Sequence, residues 1–331
     1  MYIHGCNIIL PSRFNIEKVS ELKGTSFSSG KMELDKSHPN YPVRSDEKIM
    51  RQDTIASILA TSDLLENYKT EIQKEETGLF VASGVFIENV EKHLGHLTRV
   101  YDKIKDEQDV SEKNYKLYRI SPPLLALQTL TNSTMSFIAQ YTGLKGNNAT
   151  YGNTSYGAFQ ALNQAKIDSE LRKKNTVVVS SNGAGEYSFL VNSVHRTNHN
   201  EWKEGACAGA LIVGPKSNNA IAEIKSLNSG KQDSFFDGII QRNWKELIDE
   251  NVDAAICSGA FTLQEDADDI EYCREICSNV YSHFGEYGNL GASNVLASIQ
   301  KGIEFLNNGI ASVAVLDRDI YNRETAVVLS K

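Results

Sequence analysis

The residues best suited to chemistry lie in a glycine-rich turn between a short strand predicted at 149–152 and a helix predicted at 155–173. The turn places Thr154, Ser155 or Tyr156 at the helix N-terminus, where backbone N–H groups and the helix dipole favour an anion. Enzymes use such a strand–turn–helix elbow to expose a nucleophile. The simpler alternative is an ordinary turn in which Thr154 or Ser155 caps the helix, and the local sequence alone favours it.

Other polar groups are better explained by structure than by a bound metal or cofactor. Cys273 and Cys277 share one helix face, but a zinc site needs about two more ligands. The acidic run 264–271 matches the dipole of a helix start. The glycine turn 182–185 lacks the Lys-Ser/Thr that ends a phosphate loop. The sequence therefore indicates no cofactor and no metal. The basic run 172–174 either meets an acidic carrier protein or is a solvated helix end.

Composition narrows the class of protein and its setting. The chain has 331 residues with 40% hydrophobic and 23% charged residues, which is typical of a globular protein. A net charge of −8 disfavours nucleic acid as a partner. No apolar run approaches the 18 residues of a membrane span. Five cysteines and no recognisable secretory leader predict free thiols and a cytoplasmic location.

Hydrophobic periodicity predicts alternating strands and helices, and hence an α/β fold with largely parallel sheets. The predicted strands are 3–10, 77–83, 149–152, 176–180, 206–213, 220–227, 253–258, 279–283, 312–317 and 325–329. The predicted helices are 45–68, 87–105, 124–142, 155–173, 235–249, 266–278 and 292–307, with loops at 22–46 and 106–116. Both halves then follow the order β-α-β-α-β-α-β-β. The predicted division lies near residue 215, which gives halves of 1–215 and 216–331 that pack as one unit.

Several segments in this order resemble the β-ketoacyl synthases of the thiolase superfamily. They are the strand 77–84, Pro122 and Pro123, the helix containing Asn132, Gly-Leu-Lys-Gly at 143–146, the elbow up to Gly157, the Gly-Ala-containing strand at 204–213 and Leu-Gly-Ala-Ser at 290–293. The resemblance covers essentially the whole chain. It implies a thiolase-like fold, in which two duplicated halves pack as a five-layer αβαβα unit.

The chain departs from this family where the family does its chemistry. An active enzyme of this kind carries a Cys at the elbow, whose thiolate accepts the acyl chain, and two histidines that act on the extender unit. The elbow here has no Cys. The first histidine motif is most similar to 258–262, which begins with Ser258, and the second falls at Gly288 or Asn289. His283 comes too early to match, so we expect a core or surface histidine.

The joint loss of all three groups predicts a non-catalytic partner, similar to the chain-length factors of type II polyketide or polyene synthases. The resemblance implies a heterodimer with an active ketosynthase, an acyl carrier protein as further partner, and a tunnel for the growing chain at the interface. Many related subunits carry Gln at the Cys position, and this chain does not. The candidate tunnel and interface residues are Phe86, Val90, Leu94, Asn132, Phe137, Tyr151 and Tyr156.

Two alternatives remain open at this point. One is a divergent β-ketoacyl synthase or decarboxylase that uses Ser155 or Thr154 as nucleophile, although a hydroxyl without a neighbouring base is a weak nucleophile. The other is a binding or scaffold protein that reuses the fold without a synthase partner. Equally, Phe86 is either a limit on chain length or an ordinary buried aromatic residue. The product is not specified by the sequence.

Overall fold

Thirteen strands form the framework of the part of the chain that this computed structural model describes, residues 1–18, 26–68, 72–84, 90–120, 130–185, 188, 202–230 and 242–331. The strands are β1 (Tyr2–Ile9), β2 (Arg13–Lys18), β3 (Ser26–Lys31), β4 (Gly78–Gly84), β5 (Asn148–Asn153), β6 (Thr176–Asn182), β7 (Trp202–Gly205), β8 (Cys207–Gly214), β9 (Ala222–Ser229), β10 (Ala254–Ser258), β11 (Val280–Ser282), β12 (Ser312–Arg318) and β13 (Glu324–Ser330). The helices are α1 (Arg44–Glu47), α2 (Gln52–Asn67), α3 (Val90–Ile104), α4 (Val110–Ile120), α5 (Thr131–Thr142), α6 (Ser155–Ile167), α7 (Leu263–Arg274), α8 (Phe284–Tyr287) and α9 (Asn294–Asn307).

Two sets of five strands have the same order. The first set runs β5-β4-β6-β8-β1 and the second runs β11-β10-β12-β13-β9. In each set the outer three strands are parallel and the fourth strand is antiparallel to its neighbours. A short antiparallel pairing of Tyr2 with Glu223 and of Ile3 with Ala222 joins the sets into one ten-stranded sheet. The element order of the two halves is thus duplicated.

Alternate strand residues face different helix layers, as the two-residue period of a strand requires. On β6, Val178 faces the central layer, whereas Val177 and Val179 face the outer layer of α2 and α5. On β12, Val315 faces the central layer and Leu316 faces the other outer layer, which includes α7. The central layer consists of α6 and α9, and each of them contacts strands of both sets. The result is the expected five-layer αβαβα arrangement.

The apolar spacing of α9 explains why it occupies the centre. Val295, Leu296, Ile299, Ile303 and Leu306 recur at helical spacing and are all buried. Burial of each such side chain stabilises the fold by about 1.5–3 kcal/mol before the entropic cost is counted. The central layer is therefore the shared core of both halves.

Three element predictions were wrong. Residues 106–116 are not a loop, because α4 begins at Val110 and Asp109 accepts hydrogen bonds from the backbone N–H groups of Ser111 and Glu112. The predicted loop 22–46 contains β3, which pairs with β2 and β7, and the start of α1. These elements are polar and short, so hydrophobic periodicity does not reveal them.

The third error concerns the helix predicted at 235–249. Within 242–249 there is one 3₁₀ turn, Trp244–Leu247, and the earlier residues lie outside the described part. Trp244 is fully buried and donates from Nε1 to the carbonyl oxygen of Asp317, so it anchors a turn rather than a helix face. The first part of the helix predicted at 124–142 also lies outside the described residues, and α5 covers the rest.

The helix predicted at 45–68 is interrupted between α1 and α2, where Arg51 has an extended backbone. The remaining predicted elements are confirmed to within a few residues. The helix predicted at 155–173 ends as α6 at Ile167 and continues as a π-helical turn, Asp168–Arg172. The predicted division near residue 215 falls between β8 and β9 and stays a prediction. Within the described ranges, no helix is both long enough and apolar enough to cross a bilayer.

Candidate functional site

A cavity of about 40 Å³ lies at the start of α6, beside the carboxyl ends of parallel strands from both halves. Its lining includes Thr154 and Ser155 from the elbow, Asn289 and Asn294 from the second half, and Asp319 from the turn after β12. A single water needs about 10–15 Å³ of such a cavity, whereas ligand pockets usually span about 300–1,000 Å³. The enclosed part of the cavity therefore has room for a few waters.

The elbow hydroxyl of Thr154 faces the opposite half of the molecule. Thr154 has an extended backbone (φ −140°, ψ 173°) and occupies the N-cap position of α6, but its side chain makes no cap hydrogen bond. Instead its Oγ1 donates to Oδ2 of Asp319 over 2.8 Å and accepts from Nη2 of Arg323 over 2.9 Å. The position expected of a cap is correct, and the expected capping bond is absent.

Asp319 and Arg323 hold each other in the turn between β12 and β13. Oδ1 of Asp319 accepts from the backbone N–H groups of Tyr321 and Arg323, both at 2.9 Å, and Oδ2 accepts from Nε of Arg323 at 2.7 Å. The Arg323 guanidinium lies 4.4 Å from the ring centre of Tyr156 and 5.3 Å from that of Tyr321. We call Thr154, Asp319 and Arg323 the elbow clasp.

The elbow clasp places a carboxylate next to the N-terminus of α6. Asp319 is 2% exposed and its oxygen lies within hydrogen-bond distance of the N-cap side chain of α6. A helix N-terminus stabilises a negative charge, and here Asp319 supplies it. The guanidinium of Arg323 forms an ion pair with the same carboxylate.

Ser155 lies beside a different carboxyl group, that of Asp317. Burial raises the pKa of Asp317 to about 6, and the neighbouring hydroxyls of Ser155 and Ser258 partly offset this rise. Oδ1 of Asp317 accepts from Oγ of Ser258 at 2.7 Å, whereas Oδ2 has no hydrogen bond of good geometry with any described residue. Ser258, predicted at the first histidine motif, thus lies beneath the elbow.

Asn289, one of the two positions predicted for the second histidine motif, lines the cavity. Its Nδ2 donates to the carbonyl oxygen of Ala260 at 3.0 Å, and its Oδ1 accepts from the backbone N–H of Gly291 and from Nδ2 of Asn294. Gly288 has φ +68°, and a Cβ there would lie 2.7 Å from the carbonyl oxygen of Lys203. Gly288 therefore excludes a side chain, and of the two predicted positions Asn289 is the one that lines the cavity.

His283 is a buried histidine, as expected. Its Nε2 lies 3.4 Å from Oδ1 of Asn294 and its Nδ1 lies 3.5 Å from Oγ of Ser298. Burial lowers the pKa of His283 to about 4, so its imidazole is neutral at neutral pH. It lines a neighbouring surface groove rather than the cavity at the elbow.

Among the other candidate residues, those whose side chains the structure describes do not line the cavity. Phe86 lies outside the described residues, as do the side chains of Val90 and Leu94, whose backbones lie on α3. Asn132 is exposed and Phe137 is half-buried on α5. Tyr151 contacts Phe80 edge-on, and Tyr156 stacks on Phe159 as well as on Arg323. Their proposed tunnel role stays a prediction.

The basic run 172–174 lies at the far end of α6 from the elbow, roughly 25 Å away at 1.5 Å per residue. Arg172 lies near Asp168 and Lys174 near Glu76, which fits a solvated helix end. Cys273 is buried and Cys277 half-buried. In the described part of the chain, no group of three or more His, Cys, Asp or Glu residues could hold a metal ion.

The sequence motifs did not indicate Asp317, Asp319 or Arg323, whose charged side chains lie around the elbow. A usable signal was present, because Asp-Arg-Asp at 317–319 ends an otherwise apolar strand. In open α/β sheets, the carboxyl ends of strands are where ligands usually bind. The motifs did not indicate Glu204 either. This buried carboxylate lines the cavity and accepts hydrogen bonds from Oγ of Ser188 and from Nε1 of Trp202.

Solved structures resemble the chain over its whole length. No protein-family model matches it, and no curated protein matches its sequence. A β-ketoacyl synthase from Burkholderia phymatum STM815 has a TM-score of 0.73 and 11% identity, covering 100% of this chain and 98% of that one. A chain from the complex of a type II polyketide synthase acyl carrier protein with its hexaketide-bound ketosynthase has a TM-score of 0.68 and 10% identity, covering 98% and 99%.

A further similar structure is ketosynthase twelve of the bacillaene polyketide synthase from Bacillus amyloliquefaciens. Its TM-score is 0.66 with 10% identity, and the match covers 99% of this chain and 72% of that one. At these identities the similarity concerns the fold. Together with the duplicated strand order and the five layers, it shows that the chain has the thiolase-like fold of ketosynthases.

Proposed function

We propose that this chain is a catalytically silent subunit, similar to a chain-length factor, that pairs with an active ketosynthase. The pair would act with an acyl carrier protein in a type II polyketide, aryl polyene or fatty-acid-like synthesis. The observation that carries the proposal is the elbow clasp, in which the Thr154 hydroxyl is engaged by Asp319 and Arg323. The elbow therefore offers a neutralised carboxylate where condensation needs a free nucleophile.

The rest of the cavity supports the same proposal. Condensation requires groups that move protons or stabilise an enolate, and the amide of Asn289 is engaged with Ala260, Gly291 and Asn294 instead. His283 is neutral and faces away from the cavity. The enclosed volume of about 40 Å³ is well below the roughly 300–1,000 Å³ of a usual ligand pocket.

A partner surface is available next to the elbow. Strand β5 ends the ten-stranded sheet, so the backbone groups along its outer edge have no strand partner in the described part of the chain. Its sequence, Asn-Ala-Thr-Tyr-Gly-Asn, contains none of the lysines or prolines that usually protect an edge. The neighbouring helix α5 exposes Asn132 and follows the half-exposed Leu130. We propose that β5 and α5 face the ketosynthase, with 86–94 at the tunnel.

Co-expression with candidate ketosynthases tests the pairing. We expect a stable complex containing one copy of each chain, measured by size-exclusion chromatography with light scattering, and chain elongation only when both subunits and the carrier protein are present. The matched control is the ketosynthase with its elbow Cys replaced by Ala, which should still pair and should not elongate. A stable monomer that binds no candidate ketosynthase would contradict the proposal.

Ser155 supports one alternative function, a residual acyl transfer or decarboxylation. Asp317 lies beside Ser155, and with a pKa of about 6 its carboxyl is largely ionised at neutral pH and able to accept a proton. Incubation with an acyl-carrier thioester, followed by intact mass measurement, distinguishes the two functions. A covalent adduct that maps to the elbow and disappears in Ser155→Ala would replace the silent-subunit proposal, whereas an unmodified chain would support it.

A further inference from the structure

The elbow clasp joins parts of the chain that are 165 or more residues apart. Thr154 belongs to the first half, and Asp319 and Arg323 belong to the second. Thr154 and Asp319 are both buried, whereas the Arg323 side chain is 30% exposed. Arg323 is thus the member of the elbow clasp that solvent reaches, and it bonds to both of the others.

The turn that carries Asp319 and Arg323 also forms one wall of the cavity. Asp319, Ile320 and Tyr321 all line it, and Ile320 is buried while Tyr321 is half-buried. The backbone of the turn is closed by bonds from Asn322 N–H to the Asp319 carbonyl and from Asp319 N–H to the Arg323 carbonyl. The turn is internally braced, and Ile320 also packs in a buried cluster with Phe27, Trp202 and Phe261.

Three contacts hold the turn against the elbow. They are the bond from Thr154 to Asp319, the bond from Arg323 to Thr154, and the stacking of the Arg323 guanidinium on Tyr156. Arg323 takes part directly in two of them. It also fixes the Asp319 carboxylate that accepts the third. Charge-assisted bonds of this kind are about twice as strong as neutral ones.

We propose that the turn 319–323 is a lid that the elbow clasp keeps shut over the cavity, with Arg323 as its release point. The lid explains why the cavity is small although the fold places strand ends from both halves around it. Loss of the Arg323 side chain would free Thr154 and separate the turn from Tyr156. This proposal concerns access to the elbow and does not depend on the identity of the partner subunit.

A cysteine at Ser155 reports on the lid without altering any member of the elbow clasp. Ser155 lines the cavity and is buried. The Ser155→Cys chain, or its complex if it co-purifies with a partner, is treated with iodoacetamide and the alkylation rate of the elbow peptide is measured by mass spectrometry. The buried native Cys207 in the same digest gives the rate for a closed site.

We expect the elbow peptide of Ser155→Cys to react about as slowly as Cys207. Adding Arg323→Ala should raise its rate at least tenfold, while Cys207 stays slow and the circular dichroism spectrum is unchanged. Arg274→Ala removes an exposed arginine on α7 and is the matched control, with no expected change. Tyr156→Leu keeps both hydrogen bonds of the elbow clasp but removes the stacking of Tyr156 on Arg323 and on Phe159. It should give a smaller increase, which keeps the test usable if Arg323→Ala does not fold.

Equal alkylation rates with and without Arg323, in chains that are folded, would overturn the lid. So would fast alkylation of Ser155→Cys with the elbow clasp intact. Neither result bears on the pairing with a ketosynthase, which is measured by complex formation. A failed pairing in turn leaves the alkylation rates interpretable, so the two proposals fail separately.

Discussion

Asp317 is the residue at the elbow whose ionisation should be visible in stability. Burial raises its pKa to about 6, compared with about 3.9 for an unfolded Asp. The folded state therefore binds the proton more tightly, and the free energy of unfolding should fall as pH rises from about 4 to about 6. Asp317→Asn should remove this fall, leaving the variant up to about 3 kcal/mol more stable than the natural chain at pH 7. Urea unfolding between pH 4 and pH 7 measures it.

Glu324 provides an internal comparison for that experiment. Burial raises the pKa of Glu324 to about 7, so Glu324→Gln should remove a loss of stability that extends from about pH 4.5 to about pH 7. Asp106→Asn, at an exposed residue, should leave the profile unchanged. An Asp317→Asn profile that parallels the natural one would show that Asp317 is not the buried acid described above.

The pKa of His283 is shifted in the opposite direction, and the titration of its ring can be measured directly. Burial lowers its pKa to about 4 from about 6.5, so its ring should stay neutral throughout the range from pH 6 to pH 8. We expect the proton NMR signal of its ring carbon to be constant there. The signal is assigned by its absence in His283→Gln. A titration midpoint between pH 6 and pH 7 would contradict the burial of this side chain.

The elbow could be predicted because it belongs to a local pattern of a turn followed by a helix, whereas Gly288 or Asn289 was implied by the resemblance to β-ketoacyl synthases. The elbow clasp could not, because Thr154 meets Asp319 and Arg323 only through the packing of two halves. Hydrogen bonds across such a separation leave no periodic signal in the sequence. The sequence therefore locates the site, and tertiary structure decides what its hydroxyl groups contact.

At the scale of an element, the end of β10 depends on one backbone conformation. Gly259 has φ +105°, and a Cβ there would lie 1.9 Å from the carbonyl oxygen of Arg318. Gly259→Ala should therefore lower the free energy of unfolding by about 3 kcal/mol or more. Thermal unfolding measures the loss. Gly285→Ala is the matched control, since open space surrounds that position, and an equal effect in both variants would refute the argument.

The strands of both halves were predictable because most are buried, apolar and bounded by polar turns, as on β6 and β12. The helix α4 escaped prediction because it is short, follows a charged stretch and exposes most of its described side chains. The duplication became certain only from the strand order, which places the antiparallel strands β8 and β13 in equivalent positions. Strand order is a tertiary property that one sequence does not display.

At the scale of the whole molecule, the shared central layer should make both halves unfold together. The chain has two tryptophans, Trp202 in the first half and Trp244 in the second, and both are fully buried. Trp244→Phe leaves a probe of the first half, and Trp202→Phe leaves a probe of the second. In each variant the urea midpoint from fluorescence should coincide with that from circular dichroism. Midpoints that separate would show two independently unfolding units.

The open edge of β5 makes the amount of this chain relative to its partner important in a cell. Among the described residues the outer edge of β5 has no strand partner, so under the pairing proposed above a second copy of this chain would compete with the ketosynthase for that edge. By mass action, an excess of this chain over its partner would favour self-association. The relative amounts of the two subunits, as well as their affinity, would then determine how much of the heterodimer forms.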